Sequence, residues 1–159
     1  MRQSLGFPAV AAVALALAVA ACDNGPKNPV VTGLCDEAGS TVDCPVIPET
    51  VDQAFFTITL TSTSCTAKAT TIRVTAPVSE KLTEDGCYES DGKSWKVGSA
   101  SSGFPAGTAL NFSITSDETG SPPSFRLAGA YPDWSIEFED GGDNDFNDVV
   151  LSVHATEIP

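Results

Sequence analysis

Basic residues are scarce in this sequence. Eight Lys and Arg stand against 21 Asp and Glu, a formal net charge of −13, and no basic residue lies beyond Arg126. Affinity for nucleic acid comes from clustered Lys and Arg that neutralise phosphates, so that class of partner is excluded. There is one histidine, His154, and no Cys-x-x-Cys pair, which removes the usual zinc sites. Methionine occurs once, only 18% of residues are charged, and no segment repeats apolar residues at a helical period, so a helical bundle is unsupported. What is present is 42% hydrophobic residues with 13 Gly and 11 Pro in 159 residues. That is one domain's worth of chain, too apolar for a disordered acidic tail and rich in turn formers.

The N-terminus reads as an address. Arg2 and the amino group precede an unbroken apolar run, Ala9 to Ala21, which as a helix would rise about 20 Å, short of the roughly 30 Å needed to span a bilayer. Residues 1–21 are therefore expected to be an export signal. The run ends in Val19-Ala20-Ala21-Cys22, which resembles the bacterial lipobox. That resemblance implies acylation of Cys22 and attachment to a membrane by lipid, facing the periplasm or the cell surface. Ordinary signal-peptidase cleavage after Ala18-Val19-Ala20 is the alternative. Cysteine parity separates the two, because the chain has five cysteines, at 22, 35, 44, 65 and 87. Acylating Cys22 leaves an even set for two disulfides in an oxidising compartment. Of the three connectivities, Cys35–Cys44 with Cys65–Cys87 closes the shortest loops.

Residues 22–51 carry Pro and Gly with little periodicity and read as a tether with one disulfide-closed loop. From 52 to 159 the period becomes two. Phe56, Ile58 and Leu60 alternate with threonines; Ile72 and Val74, Trp95 and Val97, Leu110, Phe112 and Ile114, and Phe125 and Leu127 repeat the pattern. Trp134, Ile136 and Phe138 against Ser135, Glu137 and Glu139, then Val149, Leu151 and Val153 against Ser152 and His154, are the clearest cases. Short strands with one apolar face, separated by Gly/Pro turns, predict an all-β antiparallel sandwich, jelly-roll or immunoglobulin-like, of about seven to eight strands. No segment between strands is long and helical enough for a parallel crossover.

The most informative stretch runs from Asp133 to Asp148. It holds Asp133, Glu137, Glu139, Asp140, Asp143, Asp145 and Asp148 without a single Lys or Arg, a density that repels itself unless a cation joins it. Asp143, Asp145 and Asn147 alternate as the first ligands of an EF-hand loop do, while Asp148 or Glu139 completes the shell. Gly141 and Gly142 allow the backbone to wrap. Hard oxygen donors on a flexible loop favour calcium, with dissociation constants on the order of 10⁻⁴–10⁻³ M for extracellular sites. An EF-hand is excluded, because its sixth position is Asp148 in place of Gly, its twelfth is His154 in place of Glu, and both flanks read as strands.

Phe138-Glu139-Asp140, the Gly pair, and Asp143-Asn144-Asp145-Phe146-Asn147-Asp148-Val149-Val150 resemble a family of bacterial extracytoplasmic β-domains of unassigned function. The resemblance implies a hairpin whose loop holds calcium, with the gap between Asp140 and Asp143 shorter here than in that family. Phe146 is expected to point inward as a plug. A solvated acidic hairpin without metal is the competing reading.

No nucleophile motif accompanies His154. Trp95, Tyr131 and Trp134 form either an aromatic platform for sugar or part of the core, and their alternation favours the core. The expectation is a non-catalytic, lipid-anchored envelope protein, calcium-stabilised, that binds a protein or glycan. A carbohydrate-active enzyme or sugar-binding accessory, and a passive envelope lipoprotein, are the other two readings.

Overall fold

A computed structural model describes residues 44–64, 70–116, 123–140 and 143–159, together with the backbone of 30–32. The expectations for the export signal, Cys22, Cys35, Cys65, Gly141 and Gly142 fall outside the described residues.

The fold is an all-β antiparallel sandwich. Its strands are β1 (Val30–Thr32), β2 (Gln53–Thr63), β3 (Thr70–Ala76), β4 (Glu80–Thr83), β5 (Ser94–Val97), β6 (Phe104–Pro105), β7 (Asn111–Ser116), β8 (Ser124–Ala130), β9 (Asp133–Glu139) and β10 (Val149–Glu157), with one 3-10 turn at Gly86–Tyr88. One sheet runs β1-β7-β3-β4; the other runs β5-β2-β10-β9-β8, with β6 also on β2. The seven strands read from alternation are all present, because alternation is what a sheet with one wet face imposes. In β2, Ala54, Phe56, Ile58 and Leu60 are buried while Thr57 and Thr59 stay half-buried on the other face. Leu151 and Val153 of β10 sit opposite Leu60 and Ile58 of β2 on one side and Ile136 and Trp134 of β9 on the other.

The sheets meet through these inward side chains. Phe112 of β7 packs edge-on against Phe138 of β9, with ring centres 6.2 Å apart at 72°, and Phe138 receives Phe125 from its other side. Such aromatic pairs add about 0.5–1.5 kcal/mol beyond the area they bury. Gly129, near the end of β8, has φ +93°, and a Cβ there would lie 2.5 Å from the Asp133 carbonyl oxygen. Only glycine fits that approach between β8 and β9.

Three short strands were not legible in the sequence. β4 is Glu-Lys-Leu-Thr, with one aliphatic residue, β6 contains Pro105, and β1 is three residues long. Val30–Thr32 pairs with β7, and Ile47 and Val51 are buried in the core. The described residues before β2, 30–32 and 44–51, thus contribute to the sandwich. Phe125 and Leu127 are only half-buried against the core, because β8 is an edge strand. Cys44 and Cys87 are disulfide-bonded, and Thr70 Oγ1 lies 3.4 Å from Cys87 Sγ.

Truncating a side chain fully enclosed between the sheets leaves a cavity, and truncating one at the edge does not. Phe138→Ala is expected to cost about 3–5 kcal/mol and Leu127→Ala under about 2 kcal/mol, read by urea unfolding.

Candidate metal centre

The hairpin from β9 to β10 carries the acidic loop. Val149 pairs with Phe138, so the next positions outward, Glu139 and Asp148, face each other across the mouth of the hairpin. Asp140 follows directly. All three are removed from solvent, with exposures of 2% for Glu139, 1% for Asp140 and 5% for Asp148. Each offers a carboxylate oxygen, and these oxygens lie within 4.8 Å of one another. A second group, Glu139 with the exposed Asp143 and Asp145, satisfies the same limit. Glu139 is common to both, so the carboxylates form a continuous patch from the buried end of the hairpin to the loop surface.

Two backbone donors hold this arrangement. The Asp140 N–H donates to Asp148 Oδ2 at 2.6 Å, and the Phe146 N–H donates to Glu139 Oε2 at 3.2 Å. The loop reaches back over Glu139 because Asn144 and Phe146 adopt φ of 65° and 62°, in the left-handed region where Asn is one of the tolerated residues. Burial of like charges is nonetheless costly. At an effective dielectric of about 20, two ionised carboxylates near 5 Å repel by about 3 kcal/mol. The carboxyl of Asp148 is accordingly pushed up to about 7, first by desolvation and then by the charges of Asp140, Glu139 and Asp143, against the hydrogen bond from Asp140. Protonating an acid, or binding a cation, relieves the same repulsion.

The expected ligands are brought together, but in a different grouping. Glu139, Asp140 and Asp148 form the buried set, and both Glu139 and Asp140 belong to it. Asp143 and Asp145 join through Glu139 at the surface. Asn147 is exposed and turned to Asp145: its backbone N–H donates to Oδ1 at 3.1 Å, and its side-chain amide bonds the other carboxylate oxygen. Phe146 is not an inward plug. It is half-buried, and the Arg126 guanidinium lies 4.6 Å from the centre of its ring while bonding Glu137. The role of Arg126 was missed in the sequence, since only the pairing of β8 with β9, which sets Arg126 opposite Glu137, brings it to the loop.

The other candidates resolve simply. His154 Nδ1 lies 2.7 Å from Asp133 Oδ1, with both side chains more than half exposed. Trp134 is buried, and Trp95 and Tyr131 are partly buried against the core. Tyr131 stacks edge-on against Trp134, so these rings pack the interior.

No family model matches the sequence, and no curated protein matches it. Among solved structures, a high-affinity mannose-binding lectin of Ralstonia solanacearum superposes with a TM-score of 0.44 at 18% identity, over 72% of this chain and 95% of the lectin. A Chromobacterium violaceum lectin in complex with alpha-methyl-fucoside gives 0.41 at 13% identity, over 74% and 100%. Likeness of this degree assigns neither a site nor a ligand to this chain.

Without a cation, Asp148 ties stability to pH. Its folded-state value of about 7 lies above its unfolded value of about 4, so between these the native state holds more protons and stability falls as pH rises. In a chelator, wild type is expected to lose stability relative to Asp148→Asn from about pH 4 to about pH 7, with no further divergence above. Thermal unfolding across that range checks it.

Proposed function

We propose that this protein is a non-catalytic, lipid-anchored domain of the bacterial cell envelope whose β-sandwich is completed by calcium at the β9–β10 hairpin, and that it acts as a binding or adhesion module. The observation that carries the calcium reading is the convergence of Glu139, Asp140 and Asp148, each 5% exposed or less, within 4.8 Å. Carboxylates brought this close repel one another, and a bound cation relieves that repulsion. Carboxylate oxygens alone are hard donors, and a loop able to supply six or more of them suits calcium better than zinc or magnesium. Asp143 and Asp145 give the outer half of that shell.

The envelope reading rests on the Val19-Ala20-Ala21-Cys22 motif and on cysteine parity. We pair Cys35 with Cys44 and Cys65 with Cys87; the disulfide bonding of Cys44 and Cys87 supports an oxidising compartment. Two or more acyl chains on Cys22 are enough for stable anchoring. The absence of a local nucleophile motif at His154 supports a binding role over a catalytic one.

Calcium in the millimolar range is expected to stabilise the protein by about 1–2 kcal/mol, given a dissociation constant on the order of 10⁻⁴–10⁻³ M. Magnesium should do less. Asp148→Asn, nearly the same shape with one ligand charge removed, should fold and lose the response. A melting temperature indifferent to calcium in wild type would sink the calcium reading. For the anchor, the chain expressed in a bacterial host should sediment with membranes, and Cys22→Ser should release it to the soluble fraction. Equal distribution of the two forms would overturn that part.

A further inference from the structure

We propose that the free edge of β8 pairs antiparallel with β8 of a second copy, joining two sandwiches into one continuous sheet about a two-fold axis at Leu127. Among the described residues each sheet ends in strands with a neighbour on one side only, and such edges pair with other strands unless they are defended. Three of the edges here are short or guarded. β1 spans three residues, β4 four, two of them charged, and β5 four with Lys96. β6, beside β5 on the same strand, contains a proline.

β8 is different. It runs seven residues, Ser124–Ala130, ends its sheet, and contains no proline. Among the described residues no further backbone bonds reach its outer side. Its one charge, Arg126, is engaged with Glu137 and Phe146 on its own molecule. Ala128, Gly129 and Ala130 are exposed and too small to block an approaching strand.

The sequence of β8 complements itself in one register. Centred on Leu127, Arg126 faces Ala128 of the copy, Phe125 faces Gly129, and Ser124 faces Ala130. No like charges meet, and an aromatic ring lies across a glycine, a pairing that covers the exposed backbone. Leu127, half-buried in one molecule, meets its own copy at the axis and gains cover from it. Moving the axis to Arg126 would set two guanidinium groups opposite each other. The net charge of −13 does not forbid the contact, because antiparallel pairing carries the two acidic loops to opposite ends. Ser124 sits beside Glu139 in each molecule, so the loops are separated by the length of the strand, about 20 Å, or two Debye lengths at physiological salt. A contact one strand long is smaller than a standard interface, so the expected dissociation constant is on the order of 10–100 µM.

The test uses the full chain carrying Cys22→Ser, to keep it in water, and sedimentation equilibrium from about 5 to about 500 µM, a range that brackets this affinity. Wild-type β8 should give a reversible monomer–dimer equilibrium. Ala128 is exposed and faces Arg126 of the copy, so charge placed there reports on the register without touching the core. Ala128→Glu should tighten the dimer and Ala128→Lys weaken it, each by about 2- to 30-fold from two symmetric cross-strand pairs. Amide exchange within Ser124–Ala130 should slow as concentration rises. A monomer at every concentration, a dimer indifferent to both substitutions, or one shifted the same way by both would overturn the proposal.

Discussion

The constraint on which this structure depends is the repulsion among three carboxylates held out of water at the mouth of one hairpin. Glu139, Asp140 and Asp148 are each 5% exposed or less, and the strands that hold them are the ones the core can least release. β10 pairs with β2 along one side and β9 along the other. One residue inward from Glu139 and Asp148 lie Phe138 and Val149, both fully buried. The apolar packing of those two fixes the register, and the register sets the acids face to face. Removing the repulsion by splaying the hairpin would expose Phe138 and Val149, and each such side chain loses about 1.5–3 kcal/mol on leaving the interior. The cheaper escapes are a proton or a cation. Either would relieve the same repulsion at the same carboxylates.

Alternation was legible wherever a strand has one wet face and one dry face. β2 shows it from Gln53 to Leu60, β9 from Asp133 to Phe138 and β10 from Val149 to Thr156, because each lies inside a sheet and buries every second side chain there. It failed at β1, β4 and β6, which are too short to show a period and are held by neighbours distant in sequence. Half-buried edge residues such as Leu127 look the same in sequence as the fully buried Ile136 opposite it, since exposure at a sheet edge is a property of what stands beside the strand.

The acidic residues were legible as a group and their partition was not. The spacing of Asp143, Asp145 and Asn147 suggested one curved arc of ligands. The folded loop instead divides the oxygens between a buried set and an exposed set joined at Glu139. That division follows from positive φ at Asn144 and Phe146. These two residues reverse the chain and bring the Phe146 N–H onto Glu139. Nothing in an Asp-x-Asp-x-Asn spacing encodes such a reversal at a phenylalanine. Its support comes from another strand: Arg126 of β8 covers the ring, a contact visible only once the pairing of β8 with β9 is known.

The placement of aromatic residues bears on what kind of ligand this surface suits. Flat stacking on a sugar ring needs exposed aromatic faces; here Trp134 is enclosed and Phe56, Phe112 and Phe138 fill the space between the sheets, while Tyr88, 71% exposed, stands away from them on the 3-10 turn. The outer face of the six-stranded sheet carries small hydroxyl side chains in register: Ser94 beside Thr59, Thr59 beside Ser152, Ser152 beside Ser135. Ser94 and Thr59 are hydrogen-bonded at 2.8 Å, so part of that face satisfies itself. Among the described residues, that face is lined chiefly by hydroxyl and charged side chains. This sheet thus meets solvent, among the described residues, through hydroxyl groups, the backbone edge of β8 and the exposed carboxylates of Asp143 and Asp145.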